Sequence, residues 1–312
     1  MSDGLLSVGY LGPRGSFTHQ ALNDSNLASN FTQHEFRSVR EVLESVRDGE
    51  VDMGFVPFEN SIEGTVNVTQ DILIFDVDLY ILAEAVLDIR HFVLGKKESS
   101  IETIRTLYSM PVATAQCVEF IRNFLPNAKV IETDSTSAAA ERVSVSMDNT
   151  VGAIASERAA QIYGLKKLTS DISDYSDNQT RFVLVGKEQI PQRTGNDITG
   201  IVVFQRADEP GSLISILQEF AARQINLRRL SSRPTKYGGL GDYCFVIFAD
   251  GHIDDELLAD ALQELYAKQG AVKFLGSFPA ASPLSNVSST QAAEQWREAR
   301  KWVQALRSRI SR

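Results

Sequence analysis

The sequence predicts an α/β protein in two successive regions, and three observations carry that prediction. Between Leu5 and Gly186 short apolar runs alternate with amphipathic segments, the texture of strands and covering helices in a largely parallel sheet. Lys187–Asn196 (KEQIPQRTGN) then interrupts with Pro, Gly and polar residues and almost nothing to bury, which reads as a linker. Beyond it the order becomes strand, helix, strand, strand, helix, strand, the ferredoxin-like βαββαβ arrangement.

In the first region the apolar runs place strands at Ser7–Leu11, Met53–Pro57, Tyr80–Ile89, Lys129–Thr133, Val151–Ile154 and Arg181–Val185. Ser38-x-x-Glu41 is a capping box, Val39, Val42, Leu43 and Val46 form a helical stripe, and Gly49 ends it. Ser99-x-x-Glu102 is a second candidate box, and Ala113–Leu125, stopped by Pro126, and Ser137–Val145 are further helices. The second region reads as strand Ile198–Gln205, helix Ser212–Arg223, strands Asn226–Arg233 and Tyr243–Ala249, helix Asp254–Lys268 and strand Val272–Ser277. Gly-rich Tyr237–Gly241 turns the central hairpin. Residues 279–290 read as a second linker. Residues 291–312 read as a basic helix of net charge +4, six Lys/Arg against two Glu. Its Trp296, Ala299, Val303, Leu306 and Ile310 fall on a narrow seam of coiled-coil type, expected to dock on the body or on another subunit.

Composition narrows the function classes. With 43% hydrophobic and 23% charged residues in 312, the chain has the profile of a folded globular protein. A net charge of −9 argues against general binding to nucleic acid or anionic membranes, which need a basic face. Cys117 and Cys244 are too few and too far apart for a disulfide framework. Neither a leader pattern at Met1–Gly4 nor an apolar run approaching 18 residues is present, so a reducing, cytoplasmic setting is expected. The N-x-Ser/Thr triplets at Asn30, Asn67, Asn178 and Asn286 are then incidental.

The sequence carries no familiar metal, nucleophile or dinucleotide motif. His19, His34, His91 and His252 stand alone, without metal-ligand spacing or a nucleophile motif. Gly9, Gly12 and Gly15 miss the dinucleotide spacing, so no cofactor and no metal is expected. What stands out is a set of polar clusters where strands end. Gly12-Pro13-Arg14-Gly15-Ser16-Phe17-Thr18 precedes a helix, where free N–H groups, hydroxyls and Arg14 can hold a carboxylate. Pro57-Phe58-Glu59-Asn60-Ser61-Ile62-Glu63-Gly64-Thr65 is dense in hydrogen-bonding side chains. Ser109-Met110-Pro111 leads to Thr114-Ala115-Gln116-Cys117, and Asp177-Asn178-Gln179-Thr180-Arg181-Phe182 opens the last strand of the region.

At these residues the sequence resembles the prephenate dehydratase family, from Val8 through Phe278. The segments that carry the resemblance are GYLGPRGSFTHQAL (9–22), VPFENSIEGTV (56–66), SMPVATAQC (109–117), AIASERAAQIYGL (153–165) and NQTRF (178–182). Residues 197–278 are similar to an ACT regulatory domain, with Pro210-Gly211-Ser212-Leu213 and Ser231-Ser232-Arg233-Pro234 at its effector loops. The resemblance implies a two-lobed catalytic region over residues 1–186, like a type-II periplasmic binding protein. One lobe comes from 5–78 and 175–186, the other from 79–174. With no chorismate mutase segment ahead of the first strand, it looks like the monofunctional form.

The implied reaction converts prephenate to phenylpyruvate, carbon dioxide and water on the route to phenylalanine. Loss of the ring carboxylate drives electrons toward the departing hydroxyl, and aromatisation favours the products, so the enzyme needs a proton donor at that hydroxyl rather than a redox or metal group. The family ties its Thr-Arg-Phe threonine to catalysis, which maps onto Thr180; Asn60, Ser109 and Gln116 match further active-site positions. Arg181 is the expected carboxylate clamp, although strand alternation can leave it structural, and Arg14, Ser16, Thr18, Glu59, Ser61 and Thr65 are expected substrate contacts. Met110 stands where many relatives have His, which implies altered packing. Cys117 reads as a small buried residue rather than a nucleophile.

ACT domains of this family pair across subunits and bind phenylalanine, which implies feedback inhibition and a homodimer or homotetramer, with Gly211, Ser212, Leu213, Ser232, Arg233 and Pro234 as effector contacts. Ser231 and Ser212 depart from the usual Glu and Ala there. Arogenate, with an amine in place of the ketone, fits the same constellation. A non-catalytic amino-acid sensor would share the effector loops but lose the Thr180 cluster, and a solute receptor would need export.

Overall fold

The computed structural model describes residues 6–27, 29–187, 189–205, 210–235, 243–269, 271–283 and 287–310. The expected turn at Tyr237–Gly241 and the Asn286 triplet lie outside them. The chain divides into two compact units, Met1–Ile72 with Ala85–Val185, and Leu73–Glu84 with Gly186–Arg312.

The elements run in the order β1 (Ser7–Leu11), α1 (Phe17–Asp24), β2 (Thr32–Phe36), α2 (Val39–Asp48), β3 (Met53–Asn60), β4 (Gly64–Thr65), α3 (Asn67–Asp71), β5 (Tyr80–Asp88), β6 (Phe92–Gly95), β7 (Thr106–Ser109), α4 (Pro111–Ala115), α5 (Val118–Phe124), β8 (Lys129–Glu132), α6 (Thr136–Val145), β9 (Val151–Ala155), α7 (Glu157–Tyr163), β10 (Lys166–Lys167) and β11 (Gln179–Gly186). They build two sheets, one ordered β2-β1-β3-β11-β5 with β4 on β3, the other β10-β6-β9-β7-β8; β5, expected to open the second lobe at residue 79, pairs in the first sheet instead, so the second sheet starts only with β6 at Phe92. β1 pairs parallel with both β2 and β3, and β7 parallel with β8 and β9, whereas β6 and β10 run antiparallel at the far edge of the second sheet. In the first sheet Phe55 stacks on Phe182 at 5.5 Å between ring centres, and Val42, Leu43 and Val46 are fully buried along α2. The capping box expected there forms only in half, because Glu41 Oε2 accepts the Arg37 N–H at 3.0 Å rather than that of Ser38. Ser38 Oγ accepts the Glu41 N–H at 3.2 Å, and Gly49 closes the last turn with φ of 79°.

Further local expectations are corrected. β2, β4, β6, β7 and β10 are strands the apolar pattern missed: β2 (TQHEF) is a largely exposed edge, β4 and β10 hold two residues each, and β6 and β7 are short. Ser99 does not begin a capping box. Its hydroxyl donates to Asn149 O at 2.7 Å, and the box is made one residue later, by Ser100 with Thr103. The helix expected over Ala113–Leu125 is two helices, because the Asp174 N–H takes the Gln116 carbonyl at 2.8 Å in place of the next helical turn. Gln116 and Cys117 consequently leave helical geometry, with φ/ψ of −89°/1° and −132°/24°. The last strand of the region begins at Gln179 rather than Arg181, which brings Thr180 into the sheet.

The second unit contains β12 (Asp197–Phe204), α8 (Ser212–Ala221), β13 (Leu227–Pro234), β14 (Tyr243–Asp250), α9 (Glu256–Gln269), β15 (Val272–Pro279) and α10 (Val287–Arg307). The sheet order β13-β14-β12-β15, antiparallel throughout, is the expected βαββαβ fold. Ile216, Phe220, Leu258 and Leu265 from the helices pack on Ile201, Val203, Phe245 and Ile247. Leu73–Glu84 packs on this unit as well. Phe75 meets Phe204, Tyr80 meets Phe274, and Lys273 Nζ donates to Val77 O at 2.6 Å. Gly276 is obligatory at this contact, since a Cβ there would lie 2.3 Å from Ile81 O at a φ of 134°. α10 starts at Val287 and ends at Arg307, earlier at both ends than the expected 291–312, so the second linker is shorter than expected. Arg300 pairs with Glu256 at 2.8 Å while Trp296, Val303 and Leu306 stay exposed. Among the described residues no helix is long and apolar enough to cross a membrane.

Candidate active site

β3 and β11 are neighbours in the first sheet, so Asn60 at the end of β3 meets Thr180 near the start of β11. Asn60 Oδ1 accepts the backbone N–H groups of Ile62 and Glu63, each at 2.9 Å. An atom that accepts two amide protons is the side-chain oxygen, which turns Nδ2 toward β11. Nδ2 donates to Asn178 Oδ1 at 2.8 Å and to Thr180 Oγ1 at 2.9 Å, and lies 3.1 Å from Gln179 O. Asn178 Nδ2 donates in turn to Gln116 Oε1 at 2.9 Å, and Gln116 Nε2 to Glu63 Oε1 at 3.3 Å. Because the Glu63 backbone N–H returns to Asn60, the four residues Asn60, Asn178, Gln116 and Glu63 close a ring, and Gln116, turned inward by the break between α4 and α5, ties the second lobe into it. Gln116, Asn178 and Thr180 are all buried.

Of the expected site residues, the structure therefore brings Asn60, Gln116 and Thr180 together. Asn178 and Glu63 complete the ring; both lie inside the motifs already noted, but neither spacing nor residue type marked them out. His91 adds to it, with Nε2 3.1 Å from Gln116 Oε1. Burial holds its imidazole below the ordinary value, opposed by the Gln116 contact and by Asp171. As a lone histidine 25 positions from its partner it gives no sequence signal.

Other expected residues sit elsewhere. Ser109 is fully buried at the end of β7 and donates to Met110 O at 3.1 Å, while Met110 packs against the core of the second sheet. Arg181 Nε faces Glu59 Oε2 at 3.5 Å; strand alternation places this pair on the side of the sheet opposite Thr180 and Asn60, so the structure turns both away from the ring. Ser61 ties β3 to β11, its hydroxyl donating to Asp177 O at 3.0 Å and accepting the Gln179 N–H at 2.9 Å. Thr65 pairs in β4 opposite Glu59.

The turn 12–16 is not a ready carboxylate cradle. Its Arg14, Gly15 and Ser16 N–H groups go to Glu35, His19 Nδ1 and Pro13 O. Ser16 caps α1 through the His19 N–H, Thr18 is buried in α1, and Arg14 is exposed. The turn instead joins the lobes: Ser156 Oγ donates to Gly15 O at 3.1 Å, and Ser137 and Tyr163 donate to Arg14 O. Tyr10 beneath it is pushed up to about 12 by burial and by Glu35. Among the described residues no cluster of three His, Cys, Asp or Glu is placed to hold a metal.

The second unit holds a cavity of about 330 Å³ lined by Gln205, Gly211, Ser212, Leu213, Ile214, Ser232, Tyr243 and Phe245. Four of the six expected effector residues line it. Arg233 and Pro234 do not, and Gln205, which donates to Ser212 Oγ, and Tyr243 were not foreseen.

A partly buried ring of three amides and a carboxylate that presents the Thr180 hydroxyl and joins two α/β lobes, on a chain that continues into a βαββαβ unit with its own cavity, defines a two-lobed α/β enzyme with an attached regulatory domain. Family models for prephenate dehydratase and for the ACT domain match residues 8–190 and 200–265. The chain is 37% identical to the prephenate dehydratase of Bacillus subtilis, over 88% of this chain and 98% of that one. It is 35% identical to that of Mycolicibacterium vanbaalenii, over 96% and 98%. The structure of the Arthrobacter aurescens prephenate dehydratase in complex with L-Phe superposes with a TM-score of 0.88 at 36% identity, covering 97% of this chain and all of that one. The chain belongs to the prephenate dehydratase family.

Proposed function

We propose that this protein converts prephenate to phenylpyruvate, with Thr180 as the donor to the departing hydroxyl. The carrying observation is the direction of one hydrogen bond: Asn60 Nδ2 donates to Thr180 Oγ1, so the hydroxyl spends a lone pair there and keeps its own proton for another acceptor. In the reaction the bond from the ring to its carboxylate breaks and releases carbon dioxide. The freed electron pair completes the aromatic ring, and the C4–O bond breaks. The departing oxygen leaves within the hydrogen bond from Thr180, and a proton from solvent completes it to water. A Thr hydroxyl is a weak acid, so its contribution is an oriented hydrogen bond that strengthens as charge develops on the leaving oxygen. Asn60, Asn178 and Gln116 offer neutral amides and no cation, with the Glu63 carboxylate at the exposed edge of the ring, which suits a substrate whose ring carboxylate must lose charge and water as it leaves.

Regulation is assigned to the second unit, with phenylalanine in the cavity under Gly211 and Ser212. The division into a catalytic region over 1–186 and an ACT domain over 197–278, pairing through ACT domains into a homodimer or homotetramer, and a cytoplasmic location complete the proposal. The test is direct: incubate the purified chain with prephenate and with arogenate, follow phenylpyruvate and phenylalanine, and titrate phenylalanine into the assay. Turnover of prephenate that falls with added phenylalanine is expected. Absence of turnover removes the catalytic reading, and an unchanged rate removes the regulatory one.

A further inference from the structure

The ring fixes which atom of each amide faces which neighbour, and it does so from two independent ends. At one end the Ile62 and Glu63 N–H groups set Asn60, which sets Asn178 with its Nδ2 toward Gln116. At the other end the Glu63 carboxylate accepts hydrogen bonds, so the Gln116 atom that faces it is Nε2. Both ends agree that Gln116 Oε1 is the atom 3.1 Å from His91 Nε2. An amide oxygen only accepts, so Nε2 of His91 carries the proton and Nδ1 is a bare lone pair. Nδ1 is buried with no hydrogen-bond partner, which leaves the bond to Gln116 as the imidazole's one side-chain hydrogen bond among the described residues.

We propose that His91 is a positioning residue for this reaction: its Nε2–H holds the Gln116 oxygen in place, and through Gln116 it orients the Asn178 and Asn60 amides that aim Thr180. The imidazole is itself held. Its backbone N–H goes to Asp171 Oδ1 at 3.2 Å and Ser173 Oγ at 3.3 Å, its carbonyl accepts the Ile172 N–H, and the ring meets Phe17 edge-on at 5.4 Å. Burial, which keeps the ring neutral, preserves the single-donor form this arrangement needs. Without the bond, Gln116 Oε1 keeps only the Asn178 donor, and rotation of the amide would present NH2 to Asn178 Nδ2, donor against donor.

Two readouts test this. The first rests on the dehydratase reading. In His91→Gln the amide nitrogen replaces Nε2 as donor, while His91→Asn is too short to reach and His91→Leu has no donor. The Leu and Asn variants are expected to lose about tenfold in kcat, the scale of one neutral hydrogen bond, with KM within about twofold; the Gln variant should stay within about threefold of the parent. Equal losses in all three, or none in Leu and Asn, would overturn the assignment. The second does not depend on turnover. In protein labelled with ¹⁵N-histidine, the resonances that vanish in His91→Gln identify His91, which is expected as the neutral ring protonated at Nε2. A ring protonated at Nδ1, or at both nitrogens, overturns the proposal even if prephenate is turned over. The expected tautomer without prephenate turnover in the parent would support the bond and instead remove the reaction it was meant to serve.

Discussion

Asn60 points one hydrogen of its side-chain amide at Thr180, 2.9 Å from Nδ2 to Oγ1, while its own oxygen is clamped by two backbone N–H groups. The clamp makes the direction of this bond a property of the backbone turn. Asn60→Asp keeps the shape and places a second acceptor oxygen where the donor was, so Thr180 would turn its proton toward the carboxylate and away from substrate.

Thr180→Ala and Asn60→Asp are therefore both expected to lower kcat by roughly 10²–10³-fold, the cost of one oriented donor at a developing charge. Thr180→Ser should retain more than Thr180→Ala. Steady-state kinetics on prephenate, with circular dichroism to confirm folding, give the comparison. A folded Thr180→Ala enzyme with near-parental kcat would remove Thr180 from the mechanism.

Stability should fall in mild acid through two histidines. Burial lowers the pKa of His19 and His91, and Arg158 and Arg14 lower His19 further. With the folded value below the unfolded 6.5, the unfolded chain binds more protons as pH drops. The stabilisation is complete above 6.5 and is lost as pH falls from there toward the folded values. His19 Nδ1 also accepts the Gly15 N–H at 3.2 Å and must give that bond up when protonated. Asp52 and Glu219, lowered by their hydrogen bonds, act in the same sense but only below their ordinary 3.8 and 4.5. Tm should hold from about pH 8 to 7 and decline from 6.5 to 5, with stability lost at no more than about 1.4 kcal/mol per pH unit for each histidine. The double variant His19→Asn, His91→Gln keeps an acceptor and a donor in place and should flatten that window. An unaltered slope in it would show that other groups govern the decline.

How much of this was legible in the sequence depended on whether the determinant was local. Ser38, Glu41 and Gly49 bound α2 from within one segment, and the βαββαβ order followed from apolar runs long enough to be counted. β2 escaped because an exposed edge strand needs no apolar alternation. The break that aims Gln116 is made by the N–H of Asp174, far along the chain, so nothing in residues 113–125 announces it. In the site, Asn60, Gln116 and Thr180 came from motifs, whereas the partnership of His91 with Gln116 exists only once the fold has brought β6's approach beside α4.

Cys117 should prove structural. Its thiol is fully buried, and burial, with Asp174 and Asp171, pushes it far above the ordinary thiol range. Iodoacetamide at about pH 8 is expected to leave it unmodified in the folded protein. Cys117→Ala should keep turnover at a cost of about 1 kcal/mol, and Cys117→Ser should cost about 1–3 kcal/mol by burying a hydroxyl among apolar neighbours. Chemical denaturation curves separate the two, and a folded Cys117→Ala protein without activity would contradict the assignment.

The cavity of the second unit should control the response to phenylalanine. Ser232 on β13 lies opposite Phe245 on β14, and both line the cavity with Gly211 and Ser212 from the start of α8. The φ of 91° at Gly211 brings the chain around without a side chain in the way, which leaves backbone and the Ser212 hydroxyl to meet an amino acid's charged ends. Ser232→Trp fills this space with an indole. Titration calorimetry should show phenylalanine binding to the parent chain and at least a hundredfold weaker binding to the variant. In the assay the parent's inhibition, a coupling of about 1–3 kcal/mol between the two sites, should disappear with it. Parental affinity in Ser232→Trp would place the effector outside this cavity, and lost binding with retained inhibition would separate the cavity from regulation altogether.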